Sequence, residues 1–184
     1  LVGSEMCIRD SSYVELTGAG RVPLAEFVDM GYVRDVIEHI VVVKHDYRAS
    51  YEAVRKAATD FPSLNVTAAW WDNTWHVTVG ARPLRATLLQ GEACGLVNEQ
   101  PSEDELRALA ASVRALSYGT NMWGSADYRR RISAPLAIQA VRRAAGIELS
   151  AALAREFEGV QIPKFATDEY SCRRVPGVDS SEVR

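Results

Sequence analysis

The 184-residue sequence predicts an α+β fold, a small antiparallel sheet of about three strands with about three helices packed on one face. Apolar residues alternate on either side of Asp72-Asn73, the pattern of a hairpin. A capping box opens at Ser102, and an apolar helical stripe runs from Ser125 to Gly146. Strands precede helices along the chain, the order of a layered α+β domain.

Leu1 to Ser11 (LVGSEMCIRDS) has no start methionine, no helical or strand period and no signal-peptide layout. It resembles read-through into a truncated reading frame and is expected to be a non-native leader. Tyr13 to Leu16 reads as a short strand, Gly18-Ala19-Gly20 as a turn, and Leu24 to Phe27 as one helical turn. Val36 to Lys44 (VIEHIVVVK) is rich in β-branched residues and reads as a strand. Ser50 to Ala58 is polar and Ala-rich, and reads as a loop with a helical turn.

Leu64, Val66, Ala68 and Trp70 then fall on one face of a strand, and Trp75, Val77 and Val79 on one face of the next. Asp72-Asn73 between them tolerates positive φ and suits a type I′ turn. In Ser102-Glu103-Asp104-Glu105, Ser stands at the cap and Glu three residues on; Leu106, Leu109, Ala110 and Val113 continue at i, i+3, i+4 and i+7. Ser125 opens a longer helix with Tyr128, Ile132, Leu136, Ala140 and Ala144 along one side. Pro135 inside it should kink it, because it removes one backbone donor. Glu148 to Phe157 reads as a weaker helix, and the Pro- and Gly-bearing tail after Gly159 as a mobile extension.

Composition excludes several classes of function. Apolar residues are 47% and charged residues 24%, ordinary for a soluble globular chain able to bury its own core. The net charge of -3 argues against a broad nucleic-acid surface. No apolar run approaches the ~20 residues that span a bilayer. Cys7, Cys94 and Cys172 lie far apart without a C-x-x-C pair, giving no zinc site, iron–sulfur ligand set or disulfide framework. A reducing, cytoplasmic setting is the expectation. His39, His45 and His76 have no metal-ligand spacing, and His76 reads as a solvated strand position. No G-x-S-x-G, P-loop or G-x-G-x-x-G occurs, and Gly18-Ala19-Gly20 lacks the third glycine and following helix of a phosphate loop. Arg129-Arg130-Arg131 and Arg142-Arg143 read as solvated helix positions, with docking of an acidic partner as the sharper alternative.

Three segments carry a resemblance. They are Ser50 to Val66 (SYEAVRKAATDFPSLNV), Val79 to Ala86 (VGARPLRA) and Thr120 to Arg130 (TNMWGSADYRR). In this order and spacing they resemble the C-terminal domain of the medium, FAD-binding subunit of molybdenum hydroxylases. That family includes bacterial carbon monoxide dehydrogenases and xanthine dehydrogenases. The resemblance covers about Tyr13 to Ala145 and implies a division of the chain. Residues 12–44, including Arg21 to Phe27 (RVPLAEF), resemble the closing stub of the FAD-binding domain. Residues 45–148 form the flavoprotein C-terminal domain, and 149–184 a helical extension and tail. The glycine-rich loops that wrap the FAD pyrophosphate would lie upstream.

The resemblance also implies residue roles. In the family the loop opening this domain reaches over the isoalloxazine ring. Tyr51 matches its aromatic position, and Arg55 and Lys56 its basic ones. A tyrosine ring can pack on flavin while its hydroxyl bonds a polar edge, and a nearby cation favours negative charge on the ring. Asp60 joins them as a cofactor-site candidate whose main duty is to accept backbone donors where the loop becomes a strand. Arg82, held extended before Pro83, is expected to pair with an acidic group across the interdomain seam. Asn121 and Ser125 read as caps of the long helix. Trp123 stands where the family usually carries arginine, and a flat aromatic supplies no guanidinium fork.

The function so implied is electron relay. Electrons would pass from [2Fe–2S] clusters on an iron–sulfur subunit to FAD, then to NAD or another acceptor. Substrate would be oxidised at the molybdenum cofactor of a molybdopterin subunit. The alternative, from another class, is a free-standing α+β binding module with no redox role.

Overall fold

Two antiparallel sheets organise the computed structural model, which describes residues 12–27, 29–31, 34–42, 48–57 and 59–157. The leader expected over 1–11 and the tail expected after 159 lie outside these residues.

The first sheet has the order β2-β1-β3, with β1 at Tyr13–Leu16, β2 at Gly20–Pro23 and β3 at Ile37–Val41. A single helical turn, α1 (Leu24–Phe27), follows β2 as its sequence predicts. Val14, Leu16 and Val22 form the buried set, with Leu24 and Phe27 against it. The Gly18 and Ala19 amides take the Asp35 carboxylate, at 3.1 and 2.9 Å. That turn therefore serves an internal anion.

The second sheet has the order β4-β5-β6-β7: Arg48–Val54, Leu64–Trp71, Thr74–Gly80 and Thr87–Gln90. Strands β5 and β6 pair Trp70 with Trp75 and Val66 with Val79 across the predicted turn, where Asp72 and Asn73 have φ of 51° and 54°. Positive φ at both central residues matches the right-handed twist of the flanking strands. Leu64, Val66, Ala68, Trp75, Val77 and Val79 are fully buried on the face turned to the helices. The loop predicted over 50–58 is corrected at its start: Arg48–Val54 is a strand, paired with β5 from Arg48↔Trp70 to Val54↔Leu64. Ladder pairing along seven residues overrides the weak β-propensity of Ala49 and Ala53. His76 is likewise buried, at 3% exposure, with its ring 4.7 Å from Trp71. Alternation placed it off the helix-packed face, but on that second face the Trp71 ring stacks against it.

Helices α2 (Glu103–Ala115), α3 (Ala126–Ala145) and α4 (Ala151–Phe157) join the core on the other face, α3 packing directly on β4 and β5. Helix α2 buries Leu106, Leu109, Ala110 and Val113, the predicted stripe. Helix α3 continues through Pro135, and the Arg131 carbonyl deprived of its donor belongs to an exposed residue, where water can serve it. Helix α4 adds Leu153 and Phe157 to the core, with Glu156 bonded to Arg107 at 3.2 Å. A buried charge ties sheet to helix. Arg143 of α3 reaches the Glu52 carboxylate of β4 at 2.7 Å, where burial pushes the carboxyl pKa up against the pull of that cation.

The capping box at Ser102 is complete: Glu105 N donates to Ser102 Oγ, and Ser102 N to Glu105 Oε2 at 2.8 Å. Glu105 also accepts from Val97 N and Asn98 N, at 2.8 and 3.0 Å, while Trp75 Nε1 donates to Asn98 O at 2.8 Å. One carboxylate thus fastens the helix start to the loop that seats the core tryptophan. Partial burial opposes its ionisation, yet the hydrogen bonds from Ser102, Asn98 and Val97 carry its pKa from 4.5 down to about 2. A depressed folded-state pKa contributes stability above pH 4.5 that is lost as pH falls toward 2. Acid unfolding followed by circular dichroism should therefore steepen in that window, and Glu105→Gln should flatten it; an unchanged acid limb in the variant would contradict this.

Candidate functional site

The β4–β5 connection and the segment leading into α3 face each other across a groove of about 680 Å³. Arg55 and Lys56 line one side; Asn121, Met122, Trp123 and Tyr128 line the other. Lys56 Nζ crosses to Met122 O at 3.0 Å. Ser63 Oγ donates to Trp123 O at 2.7 Å, and the Phe61 and Trp123 rings meet edge to face at 5.6 Å. The stems of both segments are thereby fixed to one another.

Arg129 lies behind this wall with no exposed surface. Its Nε donates to Ser63 O at 2.7 Å and Ala81 O at 3.1 Å. Nη1 donates to Gly119 O at 2.8 Å and to Gly124 O, and Nη2 to Asn121 Oδ1. A guanidinium presents five donors in a rigid fork, a geometry lysine cannot reproduce. Every one of these partners is neutral. Burial lowers the Arg129 pKa, as expected when a charged form leaves water.

The solvated face predicted for Arg129-Arg130-Arg131 holds for Arg130 and Arg131, which are exposed, and is corrected for Arg129. The helical period carried the missed signal. Arg129 stands three residues before Ile132 and seven before Leu136, on the buried side of α3. Residue type suggested solvent where position required burial.

The four sequence-predicted residues meet unequally. Arg55 and Lys56 line the groove. Tyr51, half-buried on the sheet face away from the helices, is joined to Arg55 by a 3.2 Å bond from Arg55 Nη2 to its hydroxyl. Asp60 sits outside the groove lining. Its Oδ1 accepts from Phe61 N at 2.8 Å, the backbone duty expected of it, and from Trp123 Nε1 at 3.1 Å. Trp123 therefore reaches this carboxylate through a neutral indole donor.

Arg82 is corrected outright. It is buried, donating to Ser117 O, to Arg85 O at 2.8 Å and to Thr87 Oγ1, with no carboxylate among these partners. Ala81 at φ 56° turns the chain so that the next side chain points inward. Arg85, three residues on, instead pairs with Asp29, just after α1. Ser125 caps α3 by accepting from Tyr128 N at 3.2 Å. Asn121 does not cap it; its Oδ1 holds Trp123 N and Arg129, and Thr120 Oγ1 takes the Ala126 amide at 3.0 Å.

Replacing Arg129 by methionine keeps length but strands several buried acceptors. Arg129→Met should lower unfolding free energy in urea by about 3–5 kcal/mol, and Arg129→Lys should recover only part. A loss below about 1 kcal/mol in the methionine variant would contradict this role. Trp123→Arg should change stability little, within about 1 kcal/mol, because a guanidinium can also reach Asp60.

No family model and no curated relative matches the chain. Solved structures do. The chain is similar to quinoline 2-oxidoreductase from Pseudomonas putida 86, with a TM-score of 0.62 and 13% identity over 77% of this chain and 54% of that one. It is similar to carbon monoxide dehydrogenase from Hydrogenophaga pseudoflava, with a TM-score of 0.62 and 17% identity over 78% and 55%. It is also similar to reconstituted CO dehydrogenase from Oligotropha carboxidovorans, with a TM-score of 0.56 and 16% identity over 75% and 54%. The chain spans little more than half the length of each. It shares with these oxidoreductases the fold of that part.

Proposed function

We propose that the chain is part of the FAD-carrying subunit of a molybdenum hydroxylase, with residues 12–44 closing its FAD-binding domain and 45–148 forming its C-terminal domain. In this reading the subunit relays electrons from the [2Fe–2S] clusters of an iron–sulfur subunit to NAD or another acceptor. Oxidation of substrate occurs at the molybdopterin subunit. No helix among the described residues is long and apolar enough to cross a membrane. We assign the complex to the cytoplasm.

One observation carries the reading. The three segments whose order and spacing resemble the family are all bound by Arg129, through Ser63 in the first, Ala81 in the second, and Asn121 and Gly124 in the third. Segments that are distant in sequence are therefore one structural unit. The likeness in fold to carbon monoxide dehydrogenases and a quinoline oxidoreductase supports the same reading.

The residues present fit one edge of a flavin. Tyr51 offers a half-buried ring with a hydroxyl, and Arg55 has a buried Nε without a hydrogen-bond partner. Lys56 retains N–H groups beyond the one given to Met122 O. FAD, when bound, supplies reversible storage of two electrons. Tyr51 would pack against the ring and orient it. Arg55 and Lys56 would oppose negative charge accumulating there. Asp60, joined to Trp123, would position the groove wall rather than touch the ring.

The protein bearing this chain, expressed with its upstream coding region, should purify yellow with a flavin absorption band. A colourless product that cannot be reconstituted with FAD would overturn the reading and leave an α+β binding module. Within the flavin-loaded protein, Tyr51→Ala should alter flavin fluorescence while Tyr51→Phe changes it less; equal spectra in both variants and the parent would remove Tyr51 from the site.

A further inference from the structure

We propose that the groove beside Lys56 is an anion site whose ligand is a phosphate-bearing group. The reason begins with an uncompensated charge. Arg129 is wholly buried, and its hydrogen-bond partners are carbonyl oxygens and one side-chain amide, none of them ionised. A desolvated cation without a counter-ion projects its field into the nearest space a small ion can reach.

That space is the groove. Gly124 and Asn121, which accept from Nη1 and Nη2, both line it. A Cβ added to Gly124 would lie 3.6 Å from Arg129 Cζ, so a single glycine separates the guanidinium from the opening.

The other groups add to the same sign. Arg55 and Lys56 form the facing wall, with the Arg55 Nε buried and unpartnered. Gly124 and Ser125 place the amino end of α3, a helix of 20 residues, at the rim. Its macrodipole favours negative charge there, with Ala126 N and Tyr128 N already bonded to Thr120 Oγ1 and Ser125 Oγ. Among the described residues, the lining contains no aspartate or glutamate. Asp60 behind Trp123 already takes two N–H donors, and Asp127 on the first turn of α3 pairs with Arg130 at 3.5 Å.

The volume of about 680 Å³ exceeds what a bare phosphate needs and lies within the range of small-ligand sites. Trp123 and Tyr128 supply aromatic surface beside the cations, suited to a base carried on the phosphate. The chemistry shared by free phosphate and a nucleotide is thus the anion itself.

The test is a titration of the 184-residue chain at low ionic strength with inorganic phosphate, pyrophosphate and AMP in turn, following the Asn121, Met122 and Gly124 amide resonances. Saturable shifts are expected at these amides, weakening with salt. Lys56→Gln and Arg55→Gln should each reduce affinity by roughly tenfold with unchanged unfolding midpoints. Tighter binding of AMP than of the inorganic anions would assign a nucleotide; equal binding would assign a free anion. Absence of saturable shifts at these amides, or undiminished affinity in both variants, would overturn the site. None of the probes contains an isoalloxazine, so this test and the flavin test fail separately.

Discussion

The structure depends on a guanidinium that leaves water without meeting a carboxylate. Arg129 is held by the carbonyls of Ser63, Ala81, Gly119 and Gly124 and by the Asn121 amide. Buried carbonyls at strand ends need donors: Asn121 N serves Gly124 O at 3.0 Å within the loop, while Arg129 supplies donors to Ser63 O, Ala81 O and Gly119 O. One side chain serves the start of β5, the end of β6 and the approach to α3. The fork is costly to desolvate, and its removal would strand the acceptors it satisfies.

From that joint the remaining site geometry follows. With Ser63 fixed, its hydroxyl holds Trp123 O; with Trp123 placed, its indole reaches Asp60 and its ring meets Phe61. These contacts position the wall opposite Arg55 and Lys56 without using either cation. Lys56 gives one N–H to Met122 O and Arg55 one to Tyr51 Oη, and each carries further donors. A site whose walls are set by buried groups leaves its exposed charges available for a ligand, which is the division of labour expected of preorganised binding.

Much of the fold was legible in the sequence, and the reasons are local. The Asp72-Asn73 hairpin, the Ser102 capping box, the α2 stripe and the Leu24–Phe27 turn each depend on residues within one element, where periodicity and turn chemistry operate. Strand β4 was not legible, because its alanines gain strand structure only from pairing with β5. His76 was misplaced for a related reason: alternation gives the face of a strand but not what covers that face. At the site, Arg55 and Lys56 lie in the groove lining, while Asp60 makes its backbone bond to Phe61 N outside that lining. Arg82 and Arg129 did not yield to the motif reading, since a charged residue type suggests an acidic partner for the one and solvent for the other. Their burial is decided by carbonyl partners 35 and 66 residues away, in Ser117 and Ser63.

The flavin reading and the anion site both presuppose that the three motif segments behave as one body. Native-state hydrogen exchange addresses this directly, by comparing the amides of 63–65, 79–81 and 119–124 in the parent chain and in Arg129→Lys. Under the account given, the three segments exchange with one common opening free energy in the parent, and lysine lowers that value for all three together. Separate opening energies in the parent, or a change confined to α3, would contradict it.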